Sequence, residues 1–177
     1  MKKRTLWITQ TALLLALLIV VQAVTASFRN PLITGSMVNL LLILSLMTGG
    51  LSCGLTVAFL SPMLAFLLSI GPPFWQIIPL VALGNGTLIL DWYLIAGKQT
   101  DPNYKAYLLA TISAAIIKFA FLYMTIVKFV MPLLLQLPAA KIALIGAAFS
   151  YPQLITALIG GGLASLLLPT LKKALKT

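Results

Sequence analysis

The sequence contains no histidine, two carboxylates and one cysteine. With Asp91 and Asp101 as its only acids, the chain cannot assemble a zinc hydrolase, a Ser-His-Asp triad or a paired-carboxylate site. Cys53 alone excludes an internal disulfide and any cysteine-rich metal or redox cluster. There is no G-x-x-x-x-G-K-[ST] phosphate loop, so ATP is not spent through that motif. Charge of either sign is scarce, and residues 30–90 carry none. The expectation is a chain without catalytic residues, metal ligands or cofactor, working by binding, passage or partnership.

What the sequence has in abundance is apolar side chain. Of 177 residues, 61% are apolar and 8% charged, against about half and about a quarter in soluble domains. The fold class is therefore an all-α integral membrane protein. Barrel strands would alternate over about ten residues, whereas the apolar runs here are continuous. The net charge of +10 does not indicate a nucleic-acid partner. Such a reader needs a basic face with interleaved aromatics, and these basic residues sit between apolar runs, where they mark cytoplasmic loops.

The predicted helices cover residues 6–27, 36–48, 51–70, 75–96, 104–131 and 139–168, forming one membrane domain over 1–177. The first run competes with a secretory signal peptide, but exceeds the usual apolar stretch of about 7–15 residues. Phe28-Arg29-Asn30-Pro31 and Gly71-Pro72-Pro73 read as breaks, Gly49-Gly50 as a tight turn, and Pro132 and Pro138 bracket the last turn. Six crossings with both termini cytoplasmic place Lys2, Lys3, Arg4, Lys98, Lys105, Lys172, Lys173 and Lys176 inside, eight of the twelve positive residues. Five crossings would strand one basic terminus outside, against the positive-inside rule. No repeat relates the first three helices to the last three, which weakens an inverted-repeat carrier.

A ligand site in this topology draws on the outer halves of the helices. Lys118 lies near the middle of an apolar run, too deep to snorkel to either interface, and a buried cation needs a partner. Asp91 or helix-end carbonyls are one candidate; Asp91 reads rather as an inner-boundary group, which leaves Lys118 for a ligand carboxylate, phosphate or amide oxygen. Asn39, Asn85 within Leu83-Gly84-Asn85-Gly86, Tyr151 and Gln153 lie at comparable depth. Each also has an ordinary reading as interhelical hydrogen bonding or, for Tyr151-Pro152-Gln153, as a packing kink. Arg29 and Trp75 sit on two loops that read either as gates or as an aromatic belt with a snorkelling arginine. Lys128 and Lys141 read as interface residues, Gly160-Gly161-Gly162 as close packing and Cys53 as inert filler.

Thr11-Ala12-Leu13-Leu14-Leu15-Ala16 spaces two small residues for close helix approach. On this A-x-x-x-A pair, six short helices, basic ends, and the texture of Thr34-Gly35-Ser36-Met37-Val38-Asn39, Leu60-Ser61-Pro62 and Pro79-Leu80-Val81-Ala82-Leu83-Gly84-Asn85, the chain resembles the substrate-binding S component of energy-coupling factor (ECF) vitamin transporters. The resemblance spans essentially the whole chain but rests on topology and weak motifs. It implies a prokaryotic plasma-membrane subunit that binds a vitamin from outside. It further implies that the subunit topples against a transmembrane coupling subunit docked on Ala12 and Ala16, with two separate ATP-binding subunits supplying energy. The lack of histidine and acids argues against nickel, cobalt or thiamin as cargo; cobalamin or pantothenate is expected. The alternatives are a free-standing carrier or channel using Asp91 and Lys118, and a structural membrane subunit with no ligand.

Overall fold

The computed structural model describes residues 2–98, 103–134 and 139–175. Asp101, Pro138 and Lys176, which entered the reading above, lie outside them, as do the side chains of Lys2, Lys3 and Lys141. Among the described residues there is no strand. The helices are α1 (Lys2–Ala26), α2 (Pro31–Leu67), α3 (Ile78–Trp92), α4 (Tyr104–Leu122), α5 (Met131–Leu134), α6 (Ala139–Ala148) and α7 (Tyr151–Leu175). A 3-10 turn, Trp75–Ile77, leads into α3; π-helical turns extend α3 over Tyr93–Gly97 and join α4 to α5 over Tyr123–Val130. Five helical stretches are long and apolar enough to cross a membrane: Arg4–Ala26, Pro31–Leu67, Trp75–Gly97, Tyr104–Val130 and Ile145–Ala174.

The longest of these is folded in two. As a straight rod, the 37 residues of α2 would run about 55 Å. Gly50 instead takes φ 83° and ψ 176°, a region reserved for glycine, and the chain turns back. A Cβ added at Gly54 would lie 3.0 Å from Leu46 Cα, although the two are separated by about two helical turns of sequence. Arms 31–49 and 51–67 thus lie side by side.

The first arm starts five residues before the expected Ser36, at Pro31. Asn30 is extended, and its side chain caps the helix by accepting from Leu32 N at 3.0 Å. Proline at the first position needs no amide partner. Ser36 does not interrupt the helix because its hydroxyl returns to Leu32 O at 2.7 Å. The second arm ends at Leu67, short of the expected residue 70, in a Schellman motif. Ile70 N donates to Ala65 O (2.9 Å), Ser69 N donates to Phe66 O (3.0 Å), and Ser69 takes φ 58° between them.

The run expected over 139–168 divides at Phe149-Ser150 and resumes through to Leu175. Pro152 therefore occupies the first turn of α7 and does not kink a longer helix; Pro169 is the proline inside it.

α2 is the hub, packing on α1, α3 and α7, while α4 closes the bundle against α3 and α7. The main core includes Leu42, Ile43, Leu46, Cys53, Val57, Ile89, Trp92, Tyr107, Ala114, Ala164 and Leu168. Trp92 stacks on Tyr107 with ring centroids 6.0 Å apart, and Lys172 Nζ lies 5.7 Å from the Tyr107 ring centroid. A second, smaller cluster of Ile77, Leu122, Ile126, Met131 and Phe149 lies apart from it. The candidate site lies on the side of that smaller cluster.

Candidate ligand-binding site

Small buried residues, Ala110, Ala114 and Ala115, bring α4 into the bundle, and one turn further on the same helix carries Lys118. Its side chain is 3% exposed. Lys118 Nζ donates to Asn39 Oδ1 at 2.6 Å and to Asn85 Oδ1 at 2.8 Å.

Both amides are held from behind. Asn39 Nδ2 donates to Thr156 Oγ1 at 3.4 Å, and that hydroxyl donates to Gln153 O at 3.1 Å. Asn85 Nδ2 donates to Ala58 O at 3.5 Å. The Ala58 carbonyl is free to accept because the residue four positions on is Pro62, which has no N–H to complete the helical ladder. A line of hydrogen bonds thus crosses both arms of α2, α3, α4 and α7, with Lys118 as its central donor. Each amide oxygen faces the ammonium because the group behind each amide nitrogen is an acceptor.

This line forms one wall of a cavity of about 500 Å³. Lys118, Asn39, Asn85, Arg29 and Gln153 line it, with Ser61, Pro72, Pro73, Phe74, Ile77 and Phe149 among the others. Ser61 is 2% exposed, and its hydroxyl has no hydrogen-bond partner among the described residues. Serine in a helix ordinarily bonds back three or four residues; Ser61 bonds back to neither Ala58 O nor Val57 O. Arg29 is exposed, at φ 53° just past the end of α1, where glycine is usual.

Five of the seven sequence-based candidates, Asn39, Asn85, Lys118, Gln153 and Arg29, therefore share one cavity. Trp75 and Tyr151 do not line it; they are 67% and 66% exposed. In the turn before α3 it is Phe74 and Ile77 that line the cavity, and Tyr151 is the first residue of α7. Ser61 and Thr156 were not among the candidates. Ala12 and Ala16 are exposed on α1 together with Leu13, Leu17 and Val20.

The pairing of Lys118 with Asp91 is not formed. Asp91 is half-buried and accepts a hydrogen bond from Ser113 Oγ. Six positions beyond Asn85 on α3, it lies about 9 Å along the axis and on another face. No other acid falls among the described residues, so the ammonium is held by neutral amides alone.

The family model for the ECF transporter substrate-specific component matches residues 7–172. The chain belongs to this family. No curated protein and no solved structure matches it. An ECF substrate-specific component is a transport subunit that works with a transmembrane coupling subunit and ATPase subunits, and is not itself catalytic. That agrees with a bundle of apolar membrane helices whose most elaborate polar feature is a cavity wall.

Proposed function

We propose that the cavity walled by Lys118, Asn39 and Asn85 is the substrate site of this S component, and that its cargo is a small organic micronutrient taken from the outside. The observation that carries the reading is the buried ammonium of Lys118 at the wall of an otherwise largely apolar cavity. A cation inside a membrane bundle is costly and marks a functional site by default. Of the two cargoes the sequence points to, cobalamin and pantothenate, a volume of about 500 Å³ favours the much smaller pantothenate.

In this reading the chain crosses the membrane six times, the two arms of α2 counting separately, with both termini cytoplasmic. Arms of 17–19 residues fall within the lower range for a membrane span, about 17–25 residues. The cavity then opens outward between Arg29 and the 70–74 loop, and the basic ends face inward as the positive-inside rule requires. Delivery proceeds by toppling of the whole bundle against the coupling subunit, docked on the exposed Ala12–Ala16 face of α1, where small side chains allow close helix approach. The uncharged segment 30–90 suits such a motion, since each charge drawn through hydrocarbon costs about 2.5–3.5 kcal/mol.

The test separates binding from delivery. Ala12→Trp and Ala16→Trp in the assembled transporter should abolish uptake of labelled pantothenate, while the purified chain still binds it. Uptake that survives both substitutions removes the docking assignment; absence of binding by the unaltered chain removes the cargo.

A further inference from the structure

We infer that the group seated against Lys118 is a single carboxylate, held by the ammonium on one oxygen and by Ser61 on the other. The inference rests on the cavity being the substrate site and specifies what chemistry that site selects.

The charge at Lys118 is the starting point. Asn39 and Asn85 satisfy two of its three donors but carry no charge, and Asp91 is committed to Ser113 on another face. A buried cation without a counter-ion is among the costlier arrangements a protein interior can hold. Neither amide supplies a negative charge in any orientation, and their nitrogens donate to Thr156 Oγ1 and Ala58 O. The missing element is an anion, and the cavity is where it can arrive.

The second observation is Ser61. Its hydroxyl is buried in the cavity lining without a partner among the described residues, and an unmet buried polar group is destabilising until something pairs with it. It lies about one turn along α2 from Ala58, and thus on the side of the helix that meets Asn85. The third Lys118 proton and the Ser61 hydroxyl are two donors for two acceptor atoms, which is the requirement of a carboxylate. A phosphate dianion brings three oxygens and more charge than one buried ammonium balances. Arg29 is exposed at the rim and supplies attraction during approach rather than a second enclosed seat. A neutral amide would leave the buried charge unmatched, and a cation would be repelled.

The test uses matched acid and neutral pairs: pantothenate with panthenol, nicotinate with nicotinamide, and biotin with biotinamide. Thiamin and inorganic phosphate serve as cationic and dianionic arms. Each is titrated calorimetrically into the full-length chain in lipid nanodiscs. At least one acid should bind, about 10- to 100-fold tighter than its neutral partner, the range of a charge-assisted hydrogen bond. Ser61→Ala should weaken the acid about 3- to 10-fold and leave the neutral partner unchanged; Ser61→Thr should restore the acid. Lys118→Met should bring the acid-to-neutral ratio close to one. If that variant does not fold, the wild-type ratio and the Ser61 series decide. A neutral compound, thiamin or phosphate binding as tightly as the acids overturns the carboxylate while leaving a substrate-binding subunit in place. A ratio unchanged in Lys118→Met or Ser61→Ala removes that residue's role. No binding by any member overturns both the carboxylate and the cavity as a site for such cargo.

Discussion

Gly160 sits where α7 crosses the first arm of α2, and an added methyl has nowhere to go. A Cβ there would lie 2.7 Å from Asn39 Cβ, 2.7 Å from Ser36 O and 2.9 Å from Leu40 N. Two of these atoms are backbone, so no rotamer change relieves the contact. Restoring a separation of about 3.5 Å requires α7 to recede by roughly 0.8 Å, and overpacking of this kind costs about 1–3 kcal/mol. Gly162, two residues on in the same helix, has no atom within 4 Å of its added Cβ. Both substitutions by alanine gain the same helix propensity, about 1 kcal/mol, so the difference between the variants isolates the packing cost. Gly160→Ala should melt below Gly162→Ala by about 2–12 °C in the same detergent, taking about 2–4 °C per kcal/mol for a chain of this size. The shift also opens the Asn39–Thr156 contact, already 3.4 Å long, so Gly160→Ala should bind ligand more weakly and Gly162→Ala should not. A Gly160→Ala variant as stable as Gly162→Ala would refute the close crossing and, with it, the positioning of Asn39 by α7.

Pro62→Ala supplies the missing amide and lets the α2 ladder close on Ala58 O, in competition with Asn85. The variant should be more stable than the parent, by up to about 3 kcal/mol from the restored helix, yet bind ligand several-fold more weakly; tighter or unchanged binding would show that Asn85 needs no support from Ala58. Asp91→Asn should leave uptake within about two-fold of the parent, since Asp91 bonds to Ser113 away from the cavity. Loss of gradient-driven uptake in that variant would favour a free-standing carrier instead.

The parts of this architecture written plainly in the sequence are those where polarity interrupts apolarity. Lys118, Asn39 and Asn85 stand out in their runs, and the structure brings all three together. Ser61 and Thr156 do not stand out, for a physical reason. Hydroxyls in membrane helices usually fold back on their own carbonyls, as Thr48 and Thr56 do here at 2.7 and 2.8 Å. Nothing local marks a hydroxyl that does not. The expected start at Ser36 falls five residues late because Asn30-Pro31 reads in the sequence as a break, whereas the same pair is a cap followed by a first-turn proline. The division at Phe149-Ser150 has no glycine or proline at the break itself. Trp75 and Tyr151 show the remaining limit: at a helix end, a shift of one residue turns a side chain through about 100°, and composition does not say which neighbour faces inward.

The two separate apolar clusters have a mechanical consequence. The larger draws on α1, α2, α3, α4 and α7, whereas the smaller is centred on five side chains, of which Ile77 and Phe149 also line the cavity. Protein segments open locally with free energies set by their own contacts, up to the global value. On that principle the region around the smaller cluster should open at lower cost than the main core, which hydrogen exchange would read as earlier loss of protection. Because Ile77 and Phe149 belong to both that cluster and the cavity lining, loosening of the one would alter the other, while the larger core has more buried contacts to hold its shape.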